Sequence, residues 1–151
     1  MINYVTKLAE ALKYYNVEYL IIGKGAAILY GYPGTTQDID IFPKKQENNC
    51  KRLIEALKHL RFAMDEALEK AIMEGKDFIQ IRGGPFPLDI IFAPDGIESY
   101  EKACKRSSFV DNKYPCASMN DIIASKRAAK RQRDMEELYR LELFLKELEK
   151  K

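Results

Sequence analysis

One histidine, His59, and no tryptophan occur among the 151 residues. A lone imidazole makes neither a catalytic triad nor a His-based zinc site, and its place between Lys58 and Leu60 reads as helix surface. Cysteine is scarce too. Cys50, Cys104 and Cys116 are odd in number and lack Cys-x-x-Cys spacing. That argues against a disulfide framework or a zinc ribbon and for free thiols in a reducing cytoplasm. No apolar run reaches about 18 residues, so no membrane-spanning helix is expected. The opening MINYVTKLAEALKYY is amphipathic and mixed in charge, unlike a secretory signal. Net charge is only +2, which by itself demands no polyanionic partner. No repeat and no linker divides the chain. A single domain over 1–151 is expected, with a core at about 17–117 and a helical C-terminal part at about 118–151. Apolar residues at 46% and charged residues at 32% place it among globular chains rather than disordered ones.

The most informative stretch is Gly23–Phe42, GKGAAILYGYPGTTQDIDIF. Asp38 and Asp40 lie one residue apart in a β-prone run, and a strand of period two projects both from one face. Adjacent carboxylates are costly unless protonated or shared by a cation. Magnesium or manganese is the usual cation, with substrate phosphates completing its shell. Asp89 stands in a second apolar run, PLDIIF. If the two strands pair, three carboxylates converge in the manner of a metal-dependent phosphoryl- or nucleotidyl-transfer site. The bland alternative is a pair of solvated carboxylates at a strand edge, with Ile39 and Ile41 facing the core.

The other elements follow from periodicity and punctuation. Asn3–Tyr15 has helical spacing, and Tyr19–Ile22 is a short buried strand closed by Gly23. Gly25–Tyr30 is helical and stopped by Gly31 and Pro33. Asp38–Phe42 is a strand, and Gln46–Leu60 is a helix. Asp65–Met73 is a short helix capped by Asp65 and ended by Gly75. Strands are expected at Asp77–Ile81 and Leu88–Phe92, with Arg82-Gly83-Gly84-Pro85 as the hairpin turn between them. Ile97–Lys105 reads as helix, and Phe109-Val110 and Tyr114–Ala117 read as short edge segments. Ser118 opens a capping-box-like helix to about Lys130. A last helix spans about Asp134–Glu149, and its leucine stripe is either core or an oligomer contact. The expected fold is α/β, a mixed β-sheet flanked by helices with further helices at the C-terminus.

These pieces, in this order, resemble the nucleotidyltransferase superfamily that includes DNA polymerase β and the aminoglycoside nucleotidyltransferases. Its pattern is matched by Tyr19–Ile22, Gly23, Ala26, Gly31, Thr36, Asp38, Asp40 and Asp89. The segment SMNDIIASKRAAKRQRDMEEL is similar to the small abortive-infection, toxin-like branch, through Lys126, Arg131 and Asp134. The resemblance covers about Val17 to Leu141. It implies an enzyme that moves a nucleoside monophosphate from an NTP to a hydroxyl of RNA, protein or a small molecule. It implies Mg²⁺ or Mn²⁺ on Asp38, Asp40 and Asp89, with Lys126 as a further catalytic group. Gly23, Lys24, Gly25, Thr36 and Arg131 would bind the nucleotide, and an antitoxin-like partner protein becomes conceivable.

Two positions depart from the pattern. Lys24 stands where the family carries a second Gly or Ser, and Gly34 where an Arg often precedes Thr-x-Asp. They support the alternative of a catalytically degraded relative that binds a protein or RNA partner. Three other signals stay open on the residues alone. Gly23-Lys24-Gly25 suits a strand-to-helix turn or phosphate at a helix N-terminus. Lys126, Arg127, Lys130, Arg131 and Arg133 suit a solvated helix face or a polyphosphate. Asp134 suits a helix cap or an orienting partner of Lys126. Competing motifs fit worse. A dinucleotide fingerprint fails at Ile28, and a P-loop fails because Lys24 precedes Gly25. A haloacid-dehalogenase-type phosphatase would carry Thr or Val at the place of Phe42.

Overall fold

The computed structural model describes residues 2–129 and 134–151, with backbone alone for Ile2 and Asp134. The chain runs α1 (Ile2–Tyr14), β1 (Tyr19–Ile22), α2 (Gly23–Leu29), β2 (Ile39–Pro43), α3 (Glu47–His59), α4 (Glu66–Glu74), β3 (Phe78–Ile81), β4 (Leu88–Ile91) and α5 (Tyr100–Arg106). It continues through β5 (Ser108–Val110), β6 (Tyr114–Cys116), α6 (Met119–Ala129) and α7 (Asp134–Glu149). The six strands form one sheet in the order β3-β4-β2-β1-β6-β5. Pairing is parallel for β2–β4 and β1–β6, and antiparallel for β1–β2, β3–β4 and β5–β6. This is the expected mixed sheet with flanking helices. No helix among the described residues is long and apolar enough to cross a membrane.

Local chemistry sets the boundaries. Asp65 accepts from the Leu68 amide at 2.7 Å and starts α4, and Gly75 ends that helix in the left-handed conformation. The Gln46 side chain caps α3 by accepting from the Asn49 amide at 2.7 Å. Ser118 Oγ accepts from the Asp121 amide at 3.1 Å at the head of α6. Two expectations need correction. The helix expected from Ile97 begins only at Tyr100, because the Ser99 side chain takes the Lys102 amide and fixes the start there. Tyr114–Cys116 is an interior strand rather than an edge segment. It lies between β1 and β5, with Cys116 buried and the Ala117 amide donating to Ile21 O at 3.0 Å.

The core is the apolar filling of this sheet and its helices, with Leu8, Leu12, Ile21, Ile41, Leu53, Leu57, Ile90 and Leu141 all fully buried. Leu138 and Leu141 of the last helix belong to it, so that part of the stripe is core. All three cysteines are free thiols, Cys50 and Cys116 buried and Cys104 exposed. Asn49 is a buried polar exception. Its Oδ1 accepts from the Glu18 amide at 2.7 Å, and its Nδ2 donates to Glu18 O at 2.9 Å and Lys44 O at 2.8 Å. It thus ties the entry of β1 to the exit of β2. Asn49→Ala strands those backbone groups, each costly when buried. The expected loss is about 2 kcal/mol, read as a lower urea midpoint at unchanged slope.

Candidate functional site

Register brings the carboxylates together. Ile22 lies opposite Asp40 across the β1–β2 pair, and Asp40 lies beside Asp89 across the parallel β2–β4 pair. Asp38 stands two residues before Asp40, just ahead of β2, and so on the same side of the chain. Thr36 Oγ1 donates to the Asp38 carbonyl at 3.2 Å and steadies the loop that delivers it. Asp89 is buried and Asp38 is half-exposed.

Asp40 carries most of the electrostatic tension. Burial pushes its carboxyl up to about 7, Asp89 and then Asp38 add to that rise, and Lys126 opposes it. Its Oδ1 is buried and accepts no hydrogen bond. Its Oδ2 rests against the bare Cα of Gly23, where an added Cβ would come within 2.5 Å. Gly23 has φ of +70°, a left-handed turn from β1 into α2 that glycine allows. The sequence therefore puts glycine there for two reasons, the turn and the carboxylate behind it. Gly25 differs. A Cβ on it meets only Thr36 Cγ2, at 3.9 Å.

A pH dependence follows. Below the ordinary value of 3.8, Asp40 is neutral both folded and unfolded. Between 3.8 and about 7 the unfolded chain ionises first, so folding loses stability as pH rises through this window. An Asp40→Asn variant lacks this titration. Its stability advantage over the wild type is expected to grow between pH 4 and 7 by on the order of 3 kcal/mol. Urea unfolding of both proteins across that range, in chelated buffer, measures it; a constant difference would contradict the shift.

Lys24 and Lys126 line the same cleft as Asp40, a cavity of ≈ 570 Å³ also bounded by Gly23, Phe78, Ile91, Pro94, Ile122 and Ser125. Lys24 Nζ lies 3.2 Å from Glu137 Oε1, and Glu137 Oε2 accepts from Tyr32 OH at 2.6 Å. Helix α7 thus reaches the site through Glu137. Helix α6, which carries Lys126, is anchored by the Arg106 Nε donor to buried Asp121 Oδ2 at 2.9 Å and by Arg127 to Glu142 of α7 at 2.5 Å. Arg131 lies outside the described residues, as does the side chain of Asp134. A larger cleft, ≈ 680 Å³ beside Tyr14, Tyr15 and His59, contains none of the candidate residues.

Arg82, expected as part of the hairpin turn, reaches the carboxylates instead. Its Nη1 donates to Asp89 Oδ1 at 2.9 Å, and its Nη2 stands 3.9 Å from Asp38 Oδ2. The signal was present in the alternation of β3, since Phe78, Gln80 and Arg82 share one phase and Gln80 lies beside Asp89. Glu137 had no comparable signal, because its partners are remote in sequence.

Magnesium fits this donor set in kind. It takes one or two carboxylates and leaves its remaining positions to water and phosphate oxygens. Asp40 Oδ1, buried and without a partner, offers a lone pair. Among the described residues no three acidic, His or Cys side chains form a ready-made metal cage.

The six-stranded mixed sheet and its flanking helices are consistent with a nucleotidyltransferase-like fold. The crystal structure of TM1012 from Thermotoga maritima, a candidate nucleotidyltransferase, matches it with a TM-score of 0.55. The two chains are 17% identical, and the match covers 99% of this chain and 93% of that one. At that identity the likeness establishes the fold alone. No protein-family model matches the sequence. No curated protein matches it either.

Proposed function

We propose that this protein is a metal-dependent nucleotidyltransferase that moves a nucleoside monophosphate from an NTP to a hydroxyl acceptor. The observation that carries the reading is the in-register placement of Asp40 beside Asp89, with Asp40 Oδ1 buried and unpartnered. A buried carboxylate crowded by two others is relieved by protonation or by a shared cation, and a divalent ion is the cation this reading supplies.

Asp38 and Asp40 would hold Mg²⁺ or Mn²⁺, with Asp89 completing the acidic wall. Such an ion, when bound, neutralises phosphate charge and polarises the phosphorus–oxygen bond to be broken. The chain's own groups do the rest. Asp89 orients the acceptor hydroxyl and takes its proton as the oxygen attacks the α-phosphorus. The bond from that phosphorus to the bridging oxygen breaks, and pyrophosphate leaves. Lys126 offsets the charge that develops, and Lys24 contributes on leaving Glu137. Gly23 keeps the Asp40 carboxylate in place, while Gly25 and Thr36 shape the turn and loop on which the nucleotide rests. Arg131 is proposed as a further phosphate contact by resemblance. RNA, a protein and a small molecule all remain acceptors on this reading. A toxin-like role with an antitoxin partner in the cytoplasm rests on the order Lys126, Arg131, Asp134.

A second reading has one observation in its favour. Lys24 is paired with Glu137, as it would be in a binding module that no longer turns over. The test is transfer of label from each α-³²P NTP with Mg²⁺ or Mn²⁺ to total tRNA or a protein extract. Label with the wild type and none with Asp38→Asn/Asp40→Asn supports the enzyme and names the acceptor class. Absence of label from a folded wild type with every NTP and metal favours the binding module.

A further inference from the structure

Arg82 touches the carboxylates that the proposed metal would use. One guanidinium donates to Asp89 Oδ1 at 2.9 Å and approaches Asp38 Oδ2 at 3.9 Å. It stands beside Asp40 as well, close enough for their charges to interact. Carboxylate lone pairs are finite, and a divalent ion set among them would stand next to a fixed positive charge. The contact of Arg82 with Asp89 and Asp38 and the binding of a divalent ion are therefore in competition.

We propose that Arg82 is a positioning residue that acts as the internal counter-cation of the carboxylate site and sets its metal affinity. This rests on the reading of Asp38, Asp40 and Asp89 as a metal site. Two features suit Arg82 to the task. Its side chain is 45% exposed, so the guanidinium can withdraw toward solvent without crossing the core. Its stem is tethered at the next residue, where the Gly83 carbonyl accepts from the Ala63 amide at 2.7 Å. The head group is free to leave and the stem returns it to one place.

A guanidinium released from Asp89 and Asp38 is a half-exposed cation beside the carboxylates, available to an incoming polyphosphate. Metal and nucleotide would then favour each other, since the polyphosphate offers Arg82 a new partner as the ion takes the old ones.

The experiment is Mn²⁺ titration without nucleotide, by calorimetry and by loss of the free-ion electron spin resonance signal, on the wild type, Arg82→Gln and Arg82→Lys. Arg82→Gln is expected to bind Mn²⁺ about tenfold more tightly than the wild type, with Arg82→Lys much closer to the wild type. Arg82→Met, which keeps the aliphatic stem, replaces the Gln variant if circular dichroism finds that variant unfolded. Wild-type binding with equal or weaker binding by the uncharged variant overturns this inference and leaves the metal site standing. No Mn²⁺ binding by any of the proteins overturns both.

Discussion

Asp40→Asn is expected to abolish transfer and, in chelated buffer, to make the protein more heat-stable. The two effects have one origin. Asp40 is a carboxylate held in a place that disfavours its charge, through burial and through Asp89 and Asp38 beside it. An amide of the same shape removes the charge and keeps the packing against Gly23. Loss of one electrostatic contributor of this type costs on the order of a thousandfold in rate. At pH 7 relief of the buried charge gains on the order of 3 kcal/mol, or roughly 9 °C in melting temperature for a chain of this size. A third readout separates this site from an ordinary ion pair. Mn²⁺ is expected to raise the melting temperature of the wild type and to leave that of Asp40→Asn where it was. A variant that melts lower than the wild type without metal, or that responds to Mn²⁺ equally, would sink the account.

Gly23→Ala should be the most damaging single methyl in the turn. The new Cβ would stand 2.5 Å from Asp40 Oδ2, on a residue whose φ is +70°. Left-handed backbone costs a non-glycine residue about 1 kcal/mol, and overpacking adds roughly 1–3 kcal/mol. We expect a loss of about 3 kcal/mol in denaturant unfolding, together with weaker Mn²⁺ binding, because Asp40 must turn aside to admit the methyl. Gly25→Ala is the control. Its Cβ has room, and alanine is the better helix former, so its stability is expected to match or exceed the wild type. Equal tolerance at both positions would mean that the Asp40 carboxylate does not lean on Gly23.

Strands that are wholly apolar were legible as such. Tyr19–Ile22 ends where the sequence predicts, because four buried residues run straight into a glycine. Helix α4 was legible through its two caps, Asp65 and Gly75. The Asp-x-Asp pair and the later Asp89 pointed to a shared face, and the strand register does set Asp40 beside Asp89. What stayed hidden depends on groups that local patterns do not couple. Gly83 and Gly84 mark Arg82 as a turn residue by sequence, although its phase along β3 faces Asp89. The Lys24–Glu137–Tyr32 contact joins helix α7 to the first third of the chain, and no periodicity marks it. The interior position of β6 was obscured by its length of three residues, too short to declare two neighbours.

The parallel pairing of β2 with β4 has a consequence for biosynthesis. Everything from α3 through β3 must be made, and folded back across the sheet, before Asp89 can stand beside Asp40. Closing so long a loop is slow compared with forming the helices inside it. A nascent chain that has exposed only its first two strands therefore carries Asp38 and Asp40 without Asp89. Assembly of the three-carboxylate cluster is deferred until the larger part of the polypeptide has left the ribosome.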